Sequence, residues 1–455
     1  METVAVKPRR RWLSVLALSA AAFVDSGEDQ TLSILWPKMH PSLGLTTGQL
    51  GPVLGVSSLV RTLTLPFWGY AADRFSRKAL LVGITGIWGL WTLAISLVQS
   101  LSQLMIVRVL SSLGHGVLWP TAFSLLGDLF PSKERGRAAG IMTAVSFSGS
   151  LASFAILPAL AARSPEAWRT GFVVMGLASF ATGLLLLAIN DPPRGSAEPE
   201  IADVVSAEAE ARYAFRLSDL PELIRVRSWR VFLVHNSVDA VATSILYGWA
   251  FTWLDSIGRG GSAFIIVSLI ALGNLLGHAF FGWLGDVLEA RFARFGRASM
   301  ALLGLIVTAP SLAGFIAFSP HSLSLMIVFG LIVGLGLSSV DTGARWPIAQ
   351  GVLRPELRAT GRAALDMVIG VVGATVVALS GRLVDQVGVT TMMLILIPIP
   401  KLLGAISWLP IFWTYPRDRQ ELHEALARRR EALARGWAEA TGVDRAAAEQ
   451  APAQP

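Results

Sequence analysis

Long apolar runs, interrupted at short intervals by polar and basic clusters, dominate this chain. A helix that crosses a bilayer needs about 20 mostly apolar residues. Twelve stretches meet that need: 12–37, 47–71, 79–99, 102–125, 139–162, 168–189, 230–254, 262–285, 298–318, 322–348, 362–381 and 389–414. They are spans 1 to 12 below. Backbone groups in hydrocarbon must bond internally, so the runs predict helices. The two-residue alternation of a membrane β-barrel is not present. The expected fold is an all-α integral membrane protein with twelve transmembrane helices in two six-helix halves.

Composition sharpens the picture. Hydrophobic residues make up 53% of the 455 positions and charged residues 15%, against about a quarter charged in soluble domains. That balance argues against a cytosolic enzyme, a disordered chain and, with no cysteine, a disulfide scaffold. The net charge of +7 admits nucleic acid or an anionic membrane as partner until the charges are sorted by loop. The N-terminal tail, the loops that follow even-numbered spans and the C-terminal tail hold 29 of the 38 basic residues, and the opposite loops hold Lys38, Arg163, Arg169, Arg259 and Arg382. Basic loops stay in the cytoplasm. Both termini are therefore expected inside a plasma (cell inner) membrane, and no nucleic-acid partner is needed. A basic start followed by an apolar run also suits a cleavable signal, but the run continues past Asp29 to Trp36, and the loop charges fit twelve spans.

A polar stretch divides the chain. The expected domains are residues 1–190, a cytoplasmic linker 191–228, a second half 229–414 and a tail 415–455, helical over 417–440 and disordered beyond. The halves repeat each other. Gly69-Tyr-Ala-Ala-Asp73-Arg74-Phe-Ser-Arg77-Lys78 follows span 2, and Gly282-Trp-Leu-Gly-Asp286 with Arg291 follows span 8. Pro131-Ser-Lys-Glu-Arg135-Gly-Arg137 follows span 4, and Pro355-Glu-Leu-Arg358-Ala-Thr-Gly-Arg362 follows span 10. Parallel halves of six spans are a transporter architecture with the site between them.

The loop after span 2 resembles the signature loop of the major facilitator superfamily, and the loops after spans 4, 8 and 10 and Trp168-Arg169 entering span 6 fit the same family. The resemblance covers roughly 12–414. It implies alternating access, a central cavity lined by spans 1, 4, 7 and 10, and a cytoplasmic gate at Gly69, Asp73, Arg74 and Arg77, with Asp286 and Arg291 as a partial second copy. Charge-assisted pairs at a helix rim can close in one state and break in another; ordinary positive-inside anchoring is the competing explanation for the bases. The first half resembles the spinster-type branch. That branch has an Asp-Arg pair late in span 1 and Gly-x-Gly-Glu in span 4, where this chain has Asp29-Gln30 and Gly114-His115. The departures fall on functional positions, so the branch's lipid substrates do not transfer.

Charges inside the spans point to the chemistry. Six acids (Asp25, Glu28, Asp29, Asp239, Asp341, Asp366) and four bases (Arg61, Arg108, Arg345, Lys401) lie there. Unpaired and facing lipid, they would cost on the order of 30 kcal/mol at about 2.5–3.5 kcal/mol each. They must face the interior, pair, or both. Helical spacing gathers Asp25, Glu28 and Asp29 on one face of span 1. It aligns Arg108, Ser112, His115 and Trp119 on span 4, Asn236, Asp239, Thr243 and Tyr247 on span 7, and Ser338, Asp341 and Arg345 on span 10. Three carboxylates so close cannot all ionise cheaply, and Arg61 can neutralise only one. The cluster is therefore the candidate proton-coupling site, with Glu28 and Asp29 ahead of Asp25 and a sodium site as the rival. Arg61, Arg108, His115, Trp119, Asn236, Asp239, Asp341 and Arg345 are the candidate substrate contacts. Against that stand packing roles for His115, His278 and Trp119, and a helix-internal pair for Asp341 and Arg345. Asp366 is one expected partner for Lys401.

No Gly-Lys of a phosphate-binding loop, HExxH or cysteine site occurs. The expectation is a non-enzymatic, cofactor-free and metal-free monomer embedded in lipid. It would be a secondary active transporter that moves a small organic solute, coupled to protons. The intramembrane arginines suit an organic anion, and the six-to-four excess of intramembrane acids suits a cationic or amphipathic compound equally well. An exporter of cationic or amphipathic compounds and a non-transporting receptor are the alternatives.

Overall fold

A computed structural model of the chain describes residues 8–86, 89–130, 132–192, 220–292, 294–318, 321–354 and 357–441. Within them the chain is mostly helical, and helices occupy the positions of the twelve predicted spans, in several consecutive pieces at spans 3, 4, 10 and 12. Among the described residues ten stretches are long and apolar enough to cross a membrane. The remaining two, Pro8–Ser42 and Arg227–Ser256, are long enough as well, at 35 and 30 residues. They are spans 1 and 7, the first helices of the two halves, and both carry ionisable residues in mid-helix. The linker positions 193–219 and the tail beyond 441 lie outside the described residues. The last residues of span 12 join the tail in one helix, Ile411–Thr441.

The most informative departures from plain helices occur in spans 4 and 10. Span 4 is two helices, Leu101–Gly114 and Leu118–Leu129, with His115 at the break. Span 10 widens to a π-helical turn at Asp341–Arg345 before resuming at Trp346. The cause is the same in both halves. Pro120 and Pro347 have no N–H to donate, and their rings crowd the carbonyl one turn back. The helix gives way just before each proline, where polar side chains and freed backbone groups can line a cavity. Span 12 breaks likewise at Ile397 before Pro398, and Lys401 stands in the first turn after it.

Among the described residues three apolar cores hold the bundle. At the end remote from the basic loops, one continuous core joins both halves, with Leu32, Trp36, Leu50 and Phe154 from the first and Trp249, Phe251, Val377 and Val384 from the second. At the basic end the halves have separate cores: Leu18, Leu118, Leu125 and Phe130 in one, Trp229, Phe232, Ile348 and Trp408 in the other. The joint at the remote end is tight because glycines let backbones meet. A Cβ at Gly51 would stand 2.6 Å from the Val377 carbonyl oxygen, and one at Gly55 2.5 Å from that of Ala374. Asp385 of span 11 closes this end by accepting from Gly48 N at 3.0 Å and Thr46 Oγ1 at 3.1 Å. The bundle is therefore closed at the remote end and divided at the basic end.

Candidate functional site

Each half encloses one buried charge cluster. In the first half, Arg61 of span 2 donates to Asp29 Oδ1 at 2.6 Å, and both side chains are partly exposed. The other two span 1 acids turn to span 4. His115 Nδ1 lies 3.6 Å from Asp25 and Nε2 lies 3.4 Å from Glu28. Glu28 also accepts from the Thr92 hydroxyl of span 3. The imidazole therefore stands between two carboxylates at the break in span 4. A void of about 20 Å³ beside Asp25, Glu28, Ser111 and His115 has room for one water molecule. Arg108, about two turns before His115 on the same stripe, is buried, and its Nε has no hydrogen-bond partner.

In the second half a cavity of about 350 Å³ is lined by spans 7 to 12, including Tyr247, Asn274 and His278. Lys401 Nζ donates to Asp239 Oδ1 at 2.6 Å across it. Arg345 donates to Asn236 and to Asp341, one turn away on its own helix, and its Nε is buried without a partner. Trp346 lies between two guanidinium groups, Arg345 at 4.9 Å and Arg362 at 3.5 Å from its ring centroid. Asp366 lines the cavity but pairs with Arg362 at 2.8 Å on its own helix. It is not the partner of Lys401, because the proline break in span 12 aims the lysine at span 7.

Several contributing residues were not singled out from sequence. His235 is fully buried on the cavity wall, with Nδ1 3.0 Å from the Gly404 carbonyl oxygen. It extends the His235, Asp239, Thr243, Tyr247 stripe by one more step of four, which was a readable signal. Thr92 had no such signal, since a lone threonine in an apolar helix is common. Trp119 packs beside Phe123 and the first half's basic-end core, consistent with the packing alternative.

The gate loops show parallel networks. Buried Arg77 holds Asp128 at the end of span 4, Asp191 Oδ1 at 2.8 Å and the Pro192 carbonyl at 2.6 Å. In the second half Arg297, not Arg291, does this. It holds Asp286 and Glu289 and donates to the Gly343 carbonyl of span 10 at 2.9 Å. Span 8 runs on to Arg291, which leaves that residue exposed on the last turn while Arg297 reaches back from the start of span 9. Glu289 also accepts from Arg419 of the tail at 3.1 Å. The side chains of Asp73, Arg74, Arg135, Arg137 and Arg358 lie outside the described residues, and a Cβ at Gly69 would meet open space. Asp191 is partly buried, which opposes its ionisation. The Lys78 N–H, the Arg77 guanidinium and the Ser76 hydroxyl outweigh that and hold its carboxyl below the ordinary range.

A helical bundle with buried charge clusters and symmetry-related helix breaks is a polytopic membrane carrier in design. The chain belongs to the Major Facilitator Superfamily, whose sequence profile matches residues 18–293. It is 26% identical over 319 residues to the "Probable sulfoacetate transporter" of Cupriavidus necator, covering 66% of this chain and 70% of that one. An MFS-type efflux pump of Mycolicibacterium smegmatis is 25% identical over 420 residues, 90% of this chain and 95% of the pump. Among solved structures, a bacterial homolog of the human lysosomal transporter spinster, inward-facing and unoccupied, superposes with a TM-score of 0.76 at 18% identity, covering 91% of this chain and 99% of that one. This is a family of solute transporters rather than enzymes.

Proposed function

We propose that the chain is a secondary active transporter that moves a small organic anion through a plasma membrane by alternating access, driven by protons. The observation that carries this reading is the division of charge between the halves. The cavity of about 350 Å³ in the second half is lined by Lys401 and Arg345, each paired with a carboxylate (Asp239 and Asp341), and the Arg345 Nε is buried without a hydrogen-bond partner. An incoming carboxylate or sulfonate can occupy that free donor and compete for the two bases. The first half places His115 between Asp25 and Glu28, where the imidazole can share a proton with either carboxylate and uptake of one further proton makes the group neutral inside the membrane. With the basic end in the cytoplasm, the closed remote end and divided basic end correspond to a carrier open to the inside. The sulfoacetate relative supports the anion class. The nearly full-length likeness to an efflux pump favours a second reading, export of a cationic or amphipathic compound, in which the acids make the contacts.

Proteoliposomes with an imposed pH gradient, offered a panel of small carboxylates, sulfonates and organic cations, separate these readings. Accumulation of an anion that collapses with a protonophore is the expected result. Glu28→Gln should abolish gradient-driven accumulation while leaving counterflow of the same solute. Arg345→Ala should reduce both. Movement of cations alone, or unchanged accumulation in Glu28→Gln, would overturn the proposal.

A further inference from the structure

An apolar groove of about 640 Å³ runs down the surface between spans 8, 9 and 10. Its walls include Leu303, Val307, Ile332 and Leu335, all exposed. On a membrane protein such a surface meets lipid, and apolar area alone selects none. The basic end of the groove differs. Phe292 and Phe295 line its mouth. The guanidinium of Arg291 lies 5.9 Å from the Phe292 ring centroid and that of Arg294 4.9 Å from the Phe295 ring centroid. The two acids of this loop, Asp286 and Glu289, are held by Arg297. Among the described residues Arg291 and Arg294 have no carboxylate partner, so two guanidinium groups stand exposed above an apolar trough.

The dimensions agree with one lipid leaflet. From Gly296 at the mouth to Thr308 at the floor, span 9 rises about 18 Å at 1.5 Å per residue, and half of a hydrocarbon core is about 15 Å. We propose that this groove is a binding site for an anionic phospholipid. One acyl chain would lie along Leu303 and Val307 with the headgroup phosphate between Arg291 and Arg294. Basic pockets at the cytoplasmic ends of transmembrane helices hold such headgroups through charge, and apolar burial supplies the rest. The floor of the groove, Thr308 and Gly336, is also a wall of the internal cavity. The two residues touch so closely that a Cβ at Gly336 would collide with the Thr308 hydroxyl. A chain bound in the groove therefore packs against the span 9 to span 10 contact that bounds the cavity.

The test is native mass spectrometry of the delipidated full-length protein, titrated with phosphatidylglycerol or phosphatidylcholine of identical acyl chains. Phosphatidylglycerol should bind about tenfold or more tightly. The double variant Arg291→Gln/Arg294→Gln should remove that preference and leave phosphatidylcholine unaffected. Leu303→Trp, at a position 63% exposed and so free of folding constraint, should weaken both lipids by filling the trough. Equal affinity of the two lipids for the unaltered protein would overturn the proposal. So would unchanged binding in Leu303→Trp, or displacement of phosphatidylglycerol by glycerol phosphate, which has a headgroup and no chain.

Discussion

Lys401 shows how one ionisable residue is tolerated inside a membrane. It is buried, and Asp239 is its carboxylate partner. Removing one member of a buried pair leaves the other charge desolvated, at a cost of about 3–5 kcal/mol. Lys401→Ala should therefore lower the melting temperature of the purified protein markedly, and Lys401→Met combined with Asp239→Asn should recover most of the loss. If the double variant is as unstable as the single one, the pair is not what stabilises this region. The same logic separates the three span 1 acids. Their shared face is plain from their spacing. Which one belongs to Arg61 and which two to His115 depends on how spans 1, 2 and 4 are rotated about one another. No periodicity within one helix contains that rotation.

At the scale of elements, the gate loops and broken helices set the rigidity of each half. Arg77 ties the start of span 3 to the end of span 4 and to the residues after span 6. The folded state lowers the Asp191 carboxyl below its ordinary range. A depressed carboxyl stabilises above the unfolded value and loses that contribution as pH falls through the folded one. Asp191→Asn should therefore lower thermal stability at neutral pH, and the difference from the unaltered protein should vanish in acid below the ordinary carboxylate range. A difference that persists unchanged at low pH would show that the charge of Asp191 is not involved. Two features of this network were legible beforehand, namely Arg77 and the second acidic copy at Asp286. That Arg297 rather than Arg291 completes the copy was not, because loop length after span 8 decides which arginine reaches back. The breaks in spans 4 and 10 have a local cause in Pro120 and Pro347. Their consequence, that His115 and the Asp341–Arg345 pair sit at the irregular turns, emerges only when the helices are built.

For the whole molecule, the decisive feature is the seal at the remote end, where Gly48, Gly51 and Gly55 of the first half pack on span 11 of the second. Gly55→Leu cannot be accommodated without parting the halves there. The chain has no cysteine, so a single introduced thiol reports without background. Ile245→Cys, fully buried in the shared core, should resist a membrane-impermeant maleimide in the otherwise unaltered protein and react when Gly55→Leu is added. Equal protection in both would mean that the seal does not depend on this glycine contact. The placement of the apolar helices, the asymmetry of basic loops and the polar stripes were all determined by sequence alone, because hydropathy, charge and helical period are local properties. Tertiary structure decided the pairing of each buried charge, the cavity within the second half and the closure of one end. Those depend on helix rotation, loop reach and the meeting of distant glycines, which exist only once the halves are packed together.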